Sequence, residues 1–211
     1  MNDPQRGKIS AVVFDLGGVL LDWNPRHLYR QLFGDLGEME DFLATVCTDD
    51  WHRAHDLGAD TRTSCQRLAA VHPQHRDMIM AWADRGEEMV AGQFDDTVAV
   101  LSELKATGIP CFALSNMERE TYPVRRARFP FMSWFDGAVI SGFEGVAKPD
   151  PQIFETLLGR YDLKPAATIF VDDSTRNVDA SRALGFIGVQ YRSAQELRQE
   201  FRTHGLPIRH W

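Results

Sequence analysis

The 211-residue sequence predicts an α/β protein with a mostly parallel sheet and a helical module inserted after the first strand. Short apolar runs, of the kind that parallel sheets bury on both faces, recur along the chain. After residue 94 these runs alternate with helical stretches, which calls for right-handed βαβ crossovers and an open sheet. Between about residues 25 and 92 the helical pattern continues with no convincing strand to interrupt it.

Residues 9–14 read as the first strand, followed at once by Gly17 and Gly18, which permit a tight backbone excursion. Residues 25–33, 38–47, 61–71 and 74–89 read as helices. Asp60 to Thr63 offers caps for the third, and Pro73 breaks the chain before the fourth. The expected division is a core of residues 1–22 and 93–211 around a helical module of residues 23–92. Within the second part of the core, helix 98–107 stops at Gly108, and strand 109–114 tolerates Pro110 at its start. Helix 121–128, strand 137–141, helix 151–161, strand 168–171, helix 177–184 (closed by Gly185) and strand 187–191 complete the alternation.

Apolar residues make up 44% of the chain and charged residues 25%, a balance typical of a soluble globular protein. A net charge of −7 with scattered basic residues argues against a nucleic-acid surface, which needs clustered Lys and Arg. The polar N-terminus resembles no secretory leader, and the apolar run 11–21 is broken by Asp15 and too short to cross a bilayer. The expected setting is therefore cytoplasmic, without a membrane partner, as a monomer or a homodimer. Cys47, Cys65 and Cys111 match no metal spacing and read as reduced thiols.

Open α/β sheets bind ligands beyond the carboxyl ends of their strands. The polar residues there are Asp15, Ser115 with Asn116, Lys148, and Asp172 with Asp173. Each alone has a plainer reading as a turn residue, a cap or a solvated loop lysine. Together they place three carboxylates, a lysine and a hydroxyl on one sheet edge. Such carboxylates repel one another unless a cation neutralises them. Mg²⁺ fits, because it pairs a few carboxylates with a substrate phosphate. Asp15 with Asp172 or Asp173 would hold the ion, with the Gly17 carbonyl as a third ligand. Lys148 would balance charge, while Ser115, Asn116 and the backbone at Gly18 are candidate substrate contacts.

Four stretches, VVFDLGGVLLD (12–22), CFALSNM (111–117), VAKPDPQIF (146–154) and IFVDDSTRNVDAS (169–181), jointly resemble the haloacid dehalogenase superfamily of hydrolases. The resemblance covers nearly the whole chain. It implies a Rossmann-like three-layer α/β/α core with a helical C1-type cap inserted after the first stretch. It also implies Asp15 as the nucleophile, Lys148 as the group that steadies it, and Ser115 as a phosphoryl binder. Asp172 and Asp173 would hold the metal, and Asn116 would help position substrate or cap. Water would then hydrolyse the aspartyl-phosphate.

Phosphatases of this family usually carry a second Asp, a general acid/base, two residues after the nucleophile. Here that position is Gly17. Asp22, His52, His55 and Asp56 are candidates to replace it, and a good leaving group would need it less. The DLGG variant is similar to bacterial glucose-1-phosphate phosphatases, so a small phosphorylated metabolite, a sugar phosphate first, is the expected substrate. The rival enzyme is a metal-independent 2-haloacid dehalogenase, since halide leaves without a proton. That branch resembles a pattern with Tyr in place of Gly17 and no paired Asp in the fourth stretch; without Mg²⁺, Asp172 and Asp173 beside Asp15 would be an uncompensated anionic cluster. A non-catalytic sensor of phosphorylated ligands is the third reading. Within the helical module, residues 51–58 stand out. Gly58 allows a turn toward the site and His52, Arg53 and His55 are candidate substrate contacts, although a surface loop is the plainer reading. Trp82 and Met78 read as core, and residues 201–211 as a tail that packs on the core or reaches a partner.

Overall fold

The computed structural model describes residues 8–209; residues 1–7 and the last two of the C-terminal tail, His210 and Trp211, lie outside the described residues. In chain order, β1 (Ala11–Phe14) and β2 (Leu21–Trp23) precede α1 (Pro25–Tyr29), α2 (Leu36–Thr45), α3 (Asp49–Asp56), α4 (Thr61–Val71) and α5 (Arg76–Arg85). Next come β3 (Val90–Gln93), α6 (Asp95–Ala106), β4 (Cys111–Ser115), α7 (Thr121–Arg128), β5 (Gly137–Ile140) and α8 (Ser141–Glu144). The chain closes with α9 (Pro151–Tyr161), β6 (Thr168–Asp172), α10 (Thr175–Ala183), β7 (Ile187–Gln190) and α11 (Ala194–Thr203).

The main sheet runs β5-β4-β1-β6-β7, and every neighbouring pair is parallel. β1 is central, and its AVVF sequence is wholly buried because helices cover both faces. Successive side chains of a strand point to opposite faces. Accordingly Val12 and Phe14 join Val98 and Leu101 of α6 and Leu197 and Phe201 of α11. Ala11 and Val13 join Ile153, Phe154 and Leu157 of α9 on the other face. The result is a Rossmann-like three-layer α/β/α sandwich whose strands all end at one edge.

The helices between β2 and β3 gather around an apolar cluster of their own, which includes Leu28, Tyr29, Phe42, Cys65, Ile79 and Trp82. Asp35, Thr48 and Asp60 cap α2, α3 and α4 by accepting from the amides of Glu38, Trp51 and Thr63. The chain enters this segment along β2 and leaves along β3. The two strands are antiparallel, with Leu21 opposite Gln93 and Trp23 opposite Val90. No described helix is long and apolar enough to cross a membrane. All three cysteines are buried free thiols.

Several elements differ from the expectation, β2 and α8 among them. Most of the stretch 51–58, for which a surface loop is the plainer reading, lies instead in α3, started by Thr48 and two acidic residues in its first turn. β3 ends the stretch expected to contain only helix; at four residues it is too short to show a period. α11 has no counterpart in the sequence reading, although Ser193-Ala-Gln-Glu196 has capping-box spacing and the Glu196 amide donates to Ser193 Oγ at 3.2 Å. Its Phe201 meets Phe14 edge-on at 6.1 Å between ring centroids, and Leu206 and Ile208 beyond it are buried too. The described part of the tail therefore packs on the core. Phe201→Ala should cost about 3–5 kcal/mol of stability in a urea titration; a value near zero would detach α11 from the core.

Candidate active site

β1, β4 and β6 lie side by side in parallel, so strand geometry alone brings Asp15, Ser115 and Asp172 to one place. Lys148 reaches them from the loop between α8 and α9 and is buried. Its Nζ lies 2.9 Å from Asp15 Oδ1 and 2.7 Å from Asp172 Oδ2. The Leu16 amide also donates to Asp15 Oδ1, at 2.7 Å. Asp172 Oδ1 accepts from the Ser174 amide at 2.9 Å and from Asn177 Nδ2 at 3.0 Å. A buried ammonium is tolerated only when paired and hydrogen-bonded. Burial pulls the Lys148 pKa down, but the two carboxylates more than reverse this and it lies above its ordinary value. Burial pushes the Asp15 carboxyl up; Lys148 opposes the shift, and Asp172 and Asp173 reinforce it.

Asn116 clamps the lysine's backbone. Its Oδ1 accepts from the Lys148 amide at 2.8 Å and its Nδ2 donates to the Lys148 carbonyl at 3.0 Å. Ser115 and Asn116 both line the cavity described below. Gly18 lines it too, with a positive φ of 70°, and a Cβ there would collide with the Asp173 carboxylate. The amide of Gly18, expected among the substrate contacts, instead donates to the Leu21 carbonyl at 2.9 Å, within the turn that leads to β2.

Oxygens of Asp15, Asp172 and Asp173 lie within 4.8 Å of one another. Burial raises the Asp173 carboxyl, and neighbouring Asp172 raises it further. One ammonium cannot balance three carboxylates, and a hard dication with oxygen ligands can. The donor set therefore fits Mg²⁺.

A cavity of about 680 Å³ opens over this edge. Asp15, Gly17, Ser115 and Asp173 form its floor, and Trp23, Leu43, Cys47, His52, Asp56 and Trp82 stand above them. Trp82, read as core, belongs both to the helical cluster and to this wall. Arg26 and Arg125 add positive charge to an otherwise acidic chain. Arg125, with Glu118 beside it on the wall, was not marked by any sequence pattern: both lie in a polar stretch whose inward residues depend on how the helices dock. Lys148 and Asp172 lie behind Asp15 and do not reach the cavity surface.

Three expected substrate contacts lie elsewhere, and of these Arg53 is simply absent from the cavity wall. His55 is fully buried, edge-on to Trp51 at 4.4 Å between ring centroids, with Nδ1 3.7 Å from Glu118 Oε1. Burial pushes its pKa down to about 4, so it is neutral at physiological pH. Gly58, with φ of 94°, closes α3 against the core: a Cβ there would sit 3.0 Å from the Gly142 carbonyl. It permits close approach of α3 to α8 and is absent from the cavity wall. Asp22 is absent from that wall as well and pairs with His27 at 2.9 Å.

Residues 9–185 match the family described as haloacid dehalogenase-like hydrolase. The chain is 30% identical over 200 residues to a sesquiterpene phosphatase of Aspergillus oryzae, covering 90% of this chain and 95% of that one. It is 26% identical to a phosphorylated carbohydrates phosphatase of Thermotoga maritima, over 84% of this chain and 82% of the relative. A 2-haloacid dehalogenase of a Pseudomonas species shares 24% identity over the same fractions of the two chains. In structure, a magnesium complex of a haloacid dehalogenase-family enzyme from Bacteroides thetaiotaomicron superimposes with a TM-score of 0.70, at 19% identity, over 93% of this chain and all of the other.

Removing the central ammonium should leave Asp15 and Asp172 facing each other uncompensated. Lys148→Ala should therefore lower stability by about 3–5 kcal/mol. An unchanged midpoint in a urea titration would mean that the ion triad does not form.

Proposed function

Because the chain belongs to the haloacid dehalogenase-like hydrolases, we propose that it is a Mg²⁺-dependent phosphatase that acts on a small phosphomonoester through an aspartyl-phosphate on Asp15. The observation that carries this reading is the cluster of Asp15, Asp172 and Asp173 around one buried lysine at the floor of a cavity. Bound Mg²⁺ would neutralise that cluster and the phosphoryl oxygens. Asp15, Asp173 and the Gly17 carbonyl would hold it, with Asp172 completing the set from behind. Residues 23–92 would serve as a cap over the core formed by residues 1–22 and 93–211.

The chain's own groups divide the work as follows. Oδ1 of Asp15 is fixed by Lys148 and the Leu16 amide, which leaves Oδ2 to attack phosphorus. Lys148 opposes the burial that raises the Asp15 carboxyl, so it favours the ionised form, and it offsets charge as the phosphoryl group arrives. The Ser115 hydroxyl, at the end of β4, donates to a phosphoryl oxygen. Asn116 holds the lysine segment at its working distance. Positioning and charge compensation are the main demands of phosphoryl transfer.

A sugar phosphate is the first choice of substrate. The DLGG likeness and the activity of the Thermotoga maritima relative on phosphorylated carbohydrates support it, as do the polar side chains of Arg26, Glu40, Thr48 and Asp49 on the cavity wall. A second reading, a phosphate ester with an apolar body, draws on Trp23, Leu43, Trp82 and Met89 of the same wall and on the Aspergillus oryzae relative. Metal-independent dehalogenation would leave one ammonium to balance three carboxylates, which disfavours it.

Hydrolysis of 4-nitrophenyl phosphate should require Mg²⁺ and stop with chelator, and Asp15→Asn should lower it by about 10³-fold or more. Turnover of 2-chloropropionate with halide release, and none of any phosphate ester in any metal condition, would overturn the assignment. Relative kcat/KM values for sugar phosphates and prenyl phosphates decide between the two substrate classes.

A further inference from the structure

Transfer of a phosphoryl group from an alkyl ester expels an alkoxide, and a positioned acid that protonates it contributes roughly 10²–10⁴-fold. On the floor of the cavity the two carboxyls, Asp15 and Asp173, are already assigned to attack and to the metal in the reading above. Gly17 has no side chain, and the Lys148 ammonium is held by Asp15 and Asp172. On the wall above, His52 is deprotonated at neutral pH, since burial pushes its pKa down to about 4 with a further push from His55. Arginine does not release its proton in proteins, which removes Arg26 and Arg125. Of the four carboxyls on that wall, Glu40 and Asp49 are exposed and Glu40 is held by Arg26. The two that are mostly buried are Asp56 at the end of α3 and Glu118 in the loop after β4, each with a side chain 13% exposed.

Building on the phosphatase reading above, we propose that Asp56 is the general acid and base of the reaction, supplied from the helical segment. A side chain at Gly17 would begin 4.0 Å from Cβ of Trp23. His52 stacks on the Trp23 ring, 5.1 Å between centroids and 15° from parallel, and its Nε2 lies 3.9 Å from Asp56 Oδ1. Through this chain of contacts Asp56 lines the same cavity as Gly17. Among the described residues its carboxyl makes no hydrogen bond with the protein, so it is available to substrate. Glu118 is differently engaged, with Oε1 3.7 Å from Nδ1 of the buried His55 and 4.0 Å from Nε2 of His52.

The groups that face Asp56 come from both halves of the molecule. Burial pushes its pKa up to about 7 and Glu118 pushes in the same direction; Lys148, Arg125 and Arg53 oppose them, and neutral His52 lies beside it. Glu118 belongs to the β4 loop, so the proton on Asp56 depends on α3 being seated against the sheet edge.

In the first step an Asp15 oxygen bonds to phosphorus, the bond from phosphorus to the leaving oxygen breaks, and the Asp56 proton passes to that oxygen. A neutral alcohol leaves, and Asp56 becomes a carboxylate. In the second step Asp56 takes a proton from water as the water oxygen bonds to phosphorus. The bond between phosphorus and Asp15 breaks, inorganic phosphate is released, and Asp56 is protonated again.

Single-turnover measurements on the Mg²⁺-loaded enzyme with two esters test this. Asp56→Asn should slow phosphoryl transfer from glycerol phosphate by roughly 10²–10⁴-fold. With 4-nitrophenyl phosphate, whose leaving group needs no proton, the same variant should give a burst of nitrophenol stoichiometric with enzyme and then accumulate phosphoenzyme. Wild-type transfer from glycerol phosphate should fall as pH rises through about 7, and Asp56→Asn should lose that fall. Equal slowing of the first step on both esters would overturn the proposal, as would a leaving-group effect found in Glu118→Gln and not in Asp56→Asn. The burst also reports a folded, competent site. Absence of metal-dependent turnover by the wild type would instead overturn the phosphatase reading itself.

Discussion

The ammonium of Lys148, enclosed between Asp15 and Asp172, is the interaction on which the functional edge of the sheet depends. Two carboxylates this close and this deeply buried cannot both stay ionised without a counter-charge, and one ammonium serves both. The surrounding structure is arranged to keep it there. β1 and β6 are adjacent and in register, which sets the spacing of the two carboxylates. Asn116 fixes the backbone of the lysine from the end of β4. Asn177 and the Ser174 amide hold Asp172 from below, and the Leu16 amide orients Asp15. With those contacts in place only one face of Asp15 is open, and it is the face toward the cavity.

Much of this was legible in the sequence because strand ends in a parallel sheet are themselves legible. Apolar runs such as those around Val12, Phe112 and Phe170 mark strands that have no solvent face, and the polar residue that ends each run has to lie at the carboxyl edge. The order of Asp15, Ser115, Lys148 and Asp172 along the chain was therefore enough to bring them together. What stayed hidden depends on docking. The sequence pattern does not reveal α3, and nothing local distinguishes the inward Asp56 from the buried His55 one residue away. Gly58 signals a positive φ without saying which backbone it approaches. α11 is hard to see in the sequence despite its capping-box spacing, because its apolar residues, Ala194, Leu197 and Phe201, are sparse among charged neighbours.

The cavity itself joins two kinds of surface. Its floor is a product of sheet topology and carries fixed charge; its upper wall is carried by helices that pack around a separate apolar cluster. Trp23 and Trp82 show how the two meet, since each contributes to packing and to the cavity at once. A substitution there changes both stability and the shape offered to a ligand. Residues of the floor have no such freedom, as Gly18 illustrates: its turn geometry and the Asp173 carboxylate exclude any side chain.

The β2–β3 ribbon has a consequence of another order. The chain leaves the sheet along β2 and returns along β3, and the two crossings pair directly, Leu21 with Gln93 and Trp23 with Val90. The ends of the intervening segment are thus one strand spacing apart, about 4.8 Å. Closure entropy grows only slowly with the length of a loop whose ends are already joined. A shorter, longer or wholly different insert can therefore be exchanged at this seam with little disturbance to the sheet beneath. The ribbon works as a socket, through which the floor can be inherited unchanged while the wall above it is replaced.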